Sequence, residues 1–443
     1  MERRNTIFAL SSAKGRAGVC VFRVSGEAAK YAVEILTGAP VPTPRRAALR
    51  DIRLGDGTLI DRGLVLWFEG PRSFTGQDAA EFHLHGGPAV IAAMTRRLAE
   101  LPELRPADAG EFTRRAFMAG KLDLTEAEGL ADLINAETEQ QRRLALRQLQ
   151  GGLREQYERW RGELVRALAH LEAAIDFVDE ELPDDLAKSV QPRIAKLRNE
   201  IASHLADDRR GEIVRDGFTV VILGAPNVGK SSLLNALARR DVAIVSSIPG
   251  TTRDAIEVDL DLGGYAVTLI DTAGLRDTTD EIESEGVRRA KAKAQHADIR
   301  LGVFDAAEFV NDSRVSPELV SGDAIVLNKC DVPGAKAQTV AAPLHSMRIS
   351  AKTGEGICAL LAWLEQQVVA RAGGSESMPM TRARHREALA DAHAALSRFD
   401  KAKALDIAAE DLRIAARALG RITGRVDVED LLDVIFREFC IGK

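Results

Sequence analysis

A phosphate-binding loop is the clearest chemical signal in the chain. The apolar run FTVVIL (218–223) precedes GAPNVGKS (224–231), which matches G-x-x-x-x-G-K-[ST] in full. In such a loop the backbone N–H groups surround phosphates, Lys230 reaches the β- and γ-oxygens, and Ser231 offers its hydroxyl to Mg²⁺. The helix that follows turns its positive end toward an anion, so the segment predicts a nucleoside triphosphate site.

Two later segments predict how the metal and the γ-phosphate are held. LIDTAG (269–274) reads as a strand that ends in Asp271, with Gly274 placed near the γ-phosphate. SIPGTTRD (247–254) lies between this strand and the phosphate loop and supplies Thr251 and Thr252 as further Mg²⁺ candidates. This order is typical of P-loop enzymes with switch segments.

A third pair of segments predicts which base is bound. AIVLNKCD (324–331) reads as a strand followed by Asn-Lys-x-Asp, and a carboxylate there accepts from both N1–H and N2–H₂ of guanine. Adenine lacks that donor pair, and an unpaired buried carboxylate is costly, so we expect GTP rather than ATP. A backbone N–H of the loop RISAKTG (348–354) can bond guanine O6. The predicted GTP contacts are Asn227, Val228, Gly229, Lys230, Ser231, Ser232, Ser246, Thr251, Thr252, Asp271, Gly274, Asn328, Lys329, Asp331, Ser350, Ala351 and Lys352.

The residue after DTAG departs from the Ras pattern. Ras-like enzymes place a water-orienting glutamine there, whereas this chain has Leu275, which cannot orient water. Asn227 offers an amide oxygen beside the β/γ phosphates, so a K⁺ ion can supply the positive charge of an arginine finger. The acidic run 277–286 holds candidates for orienting water, although a solvated switch segment is the plainer interpretation of it.

Composition and charge limit the class of protein. The chain has 443 residues, 45% of them apolar and 28% charged, as in soluble multidomain proteins. The N-terminal apolar run is too short for a signal peptide, and no later run reaches membrane-spanning length. Four widely spaced cysteines (Cys20, Cys330, Cys358 and Cys440) fit a reducing compartment. We therefore expect a cytoplasmic protein with no membrane segment.

Four stretches follow one another along the chain. Residues 1–119 mix strands and helices, 120–216 are strongly helical, 217–372 alternate strand and helix, and 373–443 return to helix. The expected fold class is multidomain: an α+β N-terminal domain, an all-α helical domain in two parts, and an inserted α/β P-loop domain. Residues 141–170 carry seven arginines against three glutamates, and both a solvated helix face and a phosphate-binding surface remain open.

Details of the first and last stretches give further expectations. VCVFRV (19–24) predicts a buried strand, and Ser25 is a candidate N-cap for the next helix. HLHGG (83–87) places two histidines on one strand face without an evident third ligand, so a metal site is not predicted. Near the end of the chain, apolar residues at helical spacing precede FCIGK (439–443), with Gly442 as a helix stop. The tail is therefore expected to be packed rather than frayed.

The motifs together resemble one family over essentially the whole chain. GAPNVGKSS, IPGTTRD, DTAGLR, NKCD and the terminal FCIGK are similar to the tRNA-modification GTPase family MnmE, also called TrmE. The resemblance implies a K⁺-activated GTPase that forms a homodimer through its N-terminal domain. It also implies a heterotetramer with the FAD protein MnmG (GidA), which installs a carboxymethylaminomethyl or aminomethyl group at C5 of the wobble uridine of certain tRNAs. The one-carbon donor would be 5,10-methylene- or 5-formyl-tetrahydrofolate.

The resemblance also assigns roles to individual positions. It places the K⁺ ligands at Asn227, Ser246, Ile248 and Thr251, and the Mg²⁺ ligands at Ser231 and Thr252. It makes Glu283 the residue that orients the attacking water and gives Cys440 a part in the modification chemistry. The folate-binding residues it implies are Arg23, Glu81, Lys121 and Lys443.

Two alternatives remain at this point. A ribosome-assembly GTPase of the Era/Der type would share Asn227 and K⁺ activation, but it gives no reason for the N-terminal domain or FCIGK. A signalling switch without substrate chemistry would show slow hydrolysis that depends on a separate activator.

Overall fold

The computed structural model forms two compact units, each assembled from separate segments. It describes residues 5–442 apart from 14, 177–184, 208, 241, 245–256, 272–296, 310–318, 321, 334–343, 374–377, 403, 427–431, 433–434 and 438, and only the backbone of 185–189. The first unit comprises 1–131, 148–191 and 395–443, and the second comprises 132–147 and 192–394. The predicted boundaries at 119, 216 and 372 stay predictions.

A mixed six-stranded sheet organises the start of the first unit. Its strands are β1 (Thr6–Leu10), β2 (Ala17–Ser25), β3 (Ala48–Arg53), β4 (Leu59–Phe68), β5 (Ala79–Gly86) and β6 (Leu104–Pro106). They lie in the order β3-β4-β5-β2-β1-β6, and all neighbours pair antiparallel except β1 and β6.

The two faces of this sheet differ in character because side chains alternate along each strand. On one face Phe22, Val65 and Phe82 are buried against the helices α1 (Ala29–Thr37) and α2 (Pro88–Glu100). Arg23 and Glu81 pair across β2 and β5 and therefore lie on the opposite face. Neither α1 nor α2 covers this second, open face of the sheet.

Helices make up most of the remaining described chain outside the second sheet. They are α3 (Glu111–Met118), α4 (Leu124–Asn135), α5 (Glu139–Leu149), α6 (Gly152–Asp176), α7 (Asp185–Leu205), α8 (Arg210–Asp216), α9 (Lys230–Ala238), α10 (Ile357–Ala372), α11 (Ala383–Phe399) and α12 (Leu405–Thr423). In the first unit α6 packs along α12, and Tyr157 and Trp160 of α6 are fully buried. Among the described residues, no helix combines the length and the apolar character needed to cross a membrane.

The second unit contains an α/β sheet. Its strands are β7 (Phe218–Leu223), β8 (Glu257–Leu262), β9 (Tyr265–Asp271), β10 (Ile299–Asp305), β11 (Ala324–Asn328) and β12 (His345–Arg348). They lie in the order β12-β11-β10-β7-β9-β8, with every neighbour parallel except the β8–β9 hairpin. The predicted fold class is confirmed, and the antiparallel edge strand is the one departure from a purely parallel sheet.

The expected N-cap at Ser25 is wrong. Ser25 is the last residue of β2, and α1 begins only at Ala29, after Ala28. The Ser25 hydroxyl is fully buried and lies 2.6 Å from the Thr75 hydroxyl, with which it shares a hydrogen bond. The sequence pattern assigns this hydroxyl to the start of α1, but in the structure it bonds a residue 50 positions away.

Candidate functional site

The phosphate loop joins β7 to α9 in the second unit. Lys230 is the first residue of α9, is almost fully buried, and donates to the carbonyl oxygens of Gly224 (2.7 Å) and Ala225 (2.9 Å). Gly229 has a φ of 96°, and a Cβ added there would lie 2.3 Å from Nδ2 of Asn328. The loop therefore needs glycine at 229 both for its backbone conformation and for the close approach of Asn328.

Ser231, a predicted Mg²⁺ ligand, lies beside Asp271, the carboxylate expected near the metal. Oγ of Ser231 donates to Oδ2 of Asp271 at 2.6 Å, which joins the start of α9 to the end of β9. A hydroxyl and a carboxylate beside a phosphate loop are the hard oxygen donors that Mg²⁺ prefers. These residues fit the metal, while Thr252 lies outside the described residues.

Asn328 ties the phosphate loop to the predicted base loop. Its Nδ2 donates to the carbonyl of Val228 at 2.8 Å, and its Oδ1 accepts from the backbone N–H of Ala351 at 3.0 Å. Asn328 is 2% exposed, so both hydrogen bonds are shielded from water. One carboxamide thereby fixes the position of two loops that are separated by more than 100 residues.

The neighbours of Asn328 arrange the rest of the base loop. A hydrogen bond from the Ser350 side chain holds the pKa of the exposed Asp331 carboxyl below its ordinary value, so the group is an anionic acceptor at neutral pH. Oγ of Ser350 also accepts from the N–H of Thr353 at 3.1 Å. Lys329 instead pairs with Asp305 of β10, Nζ to Oδ2 at 2.8 Å. Lys352 is exposed beside them.

The remaining predicted residues fall into two groups, those on or next to the phosphate loop and those outside the described chain. Asn227 lies exposed in the phosphate loop with a φ of 66°, and Val228 is buried beneath it. Ser232 is exposed on the first turn of α9. The predicted residues outside the described chain are Ser246, Ile248, Thr251, Thr252, Gly274, Glu283 and Lys443.

Two of the predicted folate residues, Arg23 and Glu81, lie on the open face of the first sheet. Nε and Nη2 of Arg23 donate to Oε1 of Glu81 at 3.1 and 2.9 Å. The Arg23 guanidinium also lies 5.8 Å from the Phe74 ring centroid and 5.7 Å from that of Phe112. Lys121 is exposed, and its Cε lies 3.8 Å from the position of a Cβ at Gly76.

Arg23 and Glu81 line a cavity of about 210 Å³. The loop between β4 and β5 supplies Arg72, Ser73, Phe74 and Thr75, and the remaining lining residues are Arg45, Phe68 and Ala79. Oε2 of Glu81 lies 3.3 Å from Nε2 of His83. A carboxylate with aromatic and cationic neighbours suits a ring that carries N–H donors, so these residues fit a pterin.

The cavity contains residues that the motif pattern did not identify, among them Arg45, Phe68 and Arg72. They are brought together by the pairing of β3, β4 and β5 and by the loop between β4 and β5. The sequence signal that was available is the segment GPRSFTG (70–76), a turn-rich run with an aromatic and a cation between two strands.

The tail that carries Cys440 packs against the start of the same sheet. Ile441 forms a bridge with Ala109, and the Ser11 hydroxyl donates to the carbonyl of Gly442 at 2.9 Å. Gly442 has a φ of 101°, and an added Cβ would lie 2.4 Å from the carbonyl oxygen of Leu10. Leu432, Ile435, Phe436 and Phe439 are buried in one cluster with α4. The expectation of a packed tail is confirmed, and Cys440 itself is exposed.

A second cavity of the first unit, of about 360 Å³, is polar. Asp123, Arg154, Glu158 and Arg425 contribute to its lining. Oδ1 of Asp123 accepts from the N–H of Glu126 and from the Thr125 hydroxyl, each at 2.8 Å, while Oδ2 is buried without a hydrogen-bond partner. Burial raises the pKa of Asp123 to about 6, so its charge changes in a mildly acidic range.

Comparison with known protein families identifies the family of the chain. Residues 6–121 match the model described as GTP-binding protein TrmE N-terminus, and residues 124–440 match that of the MnmE helical domain. The chain belongs to the MnmE (TrmE) family. Together the two matched ranges span nearly the whole sequence.

Three relatives are similar to this chain over most or all of their own length. The chain is 56% identical over 439 residues to a protein of Paramagnetospirillum magneticum named tRNA modification GTPase MnmE, covering 99% of both chains. A protein of Parvibaculum lavamentivorans with the same name is also 56% identical, over 99% of this chain and all of its own. A mitochondrial protein of Danio rerio, named 5-taurinomethyluridine-[tRNA] synthase subunit GTPB3, is 48% identical over 99% of this chain and 93% of its own.

Proposed function

We infer that the protein is a GTP hydrolase that acts in the modification of the wobble uridine of tRNA. The observation that carries this inference is its 56% identity to tRNA modification GTPases along 99% of the chain. The nucleotide site supports it, since Lys230 donates to the phosphate loop, Ser231 donates to Asp271, and Asn328 joins the phosphate loop to the predicted base loop. Asp331 then selects guanine through its carboxylate.

Hydrolysis rests on positioning and charge stabilisation. Lys230 holds the β- and γ-oxygens, and Ser231 with Thr252 would hold Mg²⁺, which would supply positive charge beside the phosphates. Asn227, with oxygens of Ser246, Ile248 and Thr251, would hold K⁺, which would supply the charge of an arginine finger. Glu283, the position that the family resemblance assigns to this role, orients the attacking water.

The first unit carries the one-carbon side of the reaction. Glu81 and Arg23 would hold the pterin of a 5-formyl- or 5,10-methylene-tetrahydrofolate, and Lys121 and Lys443 would contribute cations. Support comes from the cavity that Arg23 and Glu81 line and from the hydrogen bond between Ser11 and Gly442, which holds the tail beside the strands that carry Arg23. Cys440 is an exposed thiol available to the uridine chemistry.

Assembly completes the proposal. The open face of the first sheet exposes Leu49 and Leu64, which are direct cross-strand partners, next to His83. An exposed apolar patch of this kind supports a homodimer through the N-terminal sheet. MnmG (GidA) completes a heterotetramer that acts on tRNA in the cytoplasm.

The proposed function is tested with purified protein, MnmG and an unmodified tRNA substrate. We expect modification to require GTP and a tetrahydrofolate, and GTP turnover to be faster in KCl than in NaCl at equal ionic strength. Glu283→Ala should lower turnover while GTP affinity stays close to wild type. Equal rates in the two salts would remove K⁺ from the mechanism, and GTP hydrolysis without any tRNA modification would favour the ribosome-assembly alternative.

Folate binding is tested separately by calorimetric titration with 5-formyl-tetrahydrofolate. Saturable binding that is weakened by Glu81→Ala is the expected result. The control is Asp51→Ala, which removes an exposed carboxylate that pairs with Arg62 on the same sheet. Loss of binding in both variants, or in neither, would contradict the role of Glu81.

A further inference from the structure

Two guanidinium groups of the folate cavity pair with no carboxylate in the part of the chain that the structure describes. Arg45 and Arg72 both line the cavity and are both exposed. Among the described residues, neither forms an ion pair, whereas Arg23 in the same cavity is neutralised by Glu81. Nη2 of Arg45 donates to the backbone carbonyl of Arg72 at 2.5 Å, which holds the Arg45 guanidinium against the loop that carries Arg72.

The cavity also contains two aromatic rings, each close to one of its arginines. The Arg45 guanidinium lies 5.9 Å from the ring centroid of Phe68, and the Arg23 guanidinium lies 5.8 Å from that of Phe74. The lining therefore combines a neutralised carboxylate–guanidinium pair, apolar rings and an uncompensated positive pair. A ligand that matches this set has a polar ring, an aryl group and an anionic chain.

We propose that Arg45 and Arg72 bind the glutamate tail of the folate and make the site prefer polyglutamylated folates over the monoglutamate. The proposal rests on the folate binding proposed above. Each added glutamate brings one more carboxylate, and a guanidinium binds a carboxylate through paired N–H donors. Because both arginines are exposed, the preference depends on ionic strength.

The size of the effect follows from that exposure. Exposed ion pairs are individually weak, so two of them give roughly a twofold to 30-fold preference at low salt. The preference should shrink as salt is raised through the physiological range, because the screening length shortens.

The experiment is calorimetric titration of the full-length protein with 5-formyl-tetrahydrofolate as its mono- and triglutamate, at low and high salt. Wild type should bind the triglutamate more tightly, Arg72→Gln should lose most of that preference, and Arg72→Glu should reverse it. The matched control is Arg96→Gln, which removes the same charge from an exposed position of α2, the helix packed on the opposite face of the sheet.

The outcomes separate this proposal from the folate assignment itself. If neither folate binds the wild-type protein, the folate assignment fails. If both bind equally well, or if Arg72→Glu keeps the wild-type preference, the folate assignment stands and the tail proposal is overturned. Arg45→Gln provides a second variant, and its melting temperature shows whether loss of the Arg45–Arg72 hydrogen bond disturbs the fold.

Discussion

Removal of the Asn328 carboxamide should weaken nucleotide binding by undoing the link between two loops. Asn328→Ala deletes the hydrogen bonds to the Val228 carbonyl and from the Ala351 N–H. Each such bond contributes about 0.5–1.5 kcal/mol, so the pair is worth roughly 1–3 kcal/mol. If the whole of that free energy stabilises the loop arrangement that binds GTP, its loss lowers the affinity for GTP by about 5-fold to 150-fold.

An isosteric variant separates hydrogen bonding from packing. Asn328→Asp keeps the acceptor for Ala351 but places an oxygen where Nδ2 now lies 2.8 Å from the Val228 carbonyl. Two acceptors at that distance repel, so Asp should bind nucleotide at least as poorly as Ala, although it preserves the side-chain volume. A role in packing alone would leave the Asp variant close to wild type.

The assay is titration with a fluorescent GDP analogue, together with thermal unfolding of each variant. Thr268→Ala is the control, since it removes an exposed hydrogen bond to Asp259 on the edge hairpin of the same unit. Nucleotide affinity within about twofold of wild type in both Asn328 variants would refute the link between the loops.

Three further predictions concern the first unit. Asp123→Asn should stabilise the protein at pH 7.5 by up to about 3 kcal/mol and have little effect near pH 4. The reason is the raised pKa of Asp123, which makes the free energy of unfolding of the wild type fall as pH rises from about 4 to 6. Urea unfolding across that range tests this, and parallel pH profiles of the two proteins would contradict it. Gly442→Ala should release the tail, because its Cβ would lie 2.4 Å from the Leu10 carbonyl oxygen. Carboxypeptidase should therefore digest the C-terminus faster than in the control Gly57→Ala, where an added Cβ meets nothing within 4 Å. Equal digestion of the two variants would argue against a packed tail. Cys440→Ser should abolish tRNA modification and leave GTP hydrolysis unchanged, and normal modification by this variant would exclude a role for the thiol.

The parts of the site that lie within one short segment could be predicted from sequence. The phosphate loop needs its glycine, lysine and serine at fixed spacing, and its flanking strand and helix follow from a local apolar pattern. The same holds for the strand that presents Asp271.

Features that depend on distant partners could not be predicted in this way. Ser25 has the residue type and position of an N-cap, yet its hydroxyl bonds Thr75 across the sheet. The pattern around Asn328 indicates a base-binding motif but not its bond to Val228, 100 residues earlier. Arg45, Phe68 and Arg72 share a cavity only because β3, β4 and β5 pair in their particular register.

The contact between Ser11 and Gly442 sets the order of events during biosynthesis. The two residues are 431 positions apart, so at 5–20 residues per second the surface around Ser11 waits roughly 20–90 s for the tail that covers it. The nucleotide-binding unit lies between them in the chain and can fold during that delay. A product that terminates early would therefore retain a GTP site while lacking the segment with Cys440. The unit that binds GTP is thus complete before the unit that carries the thiol.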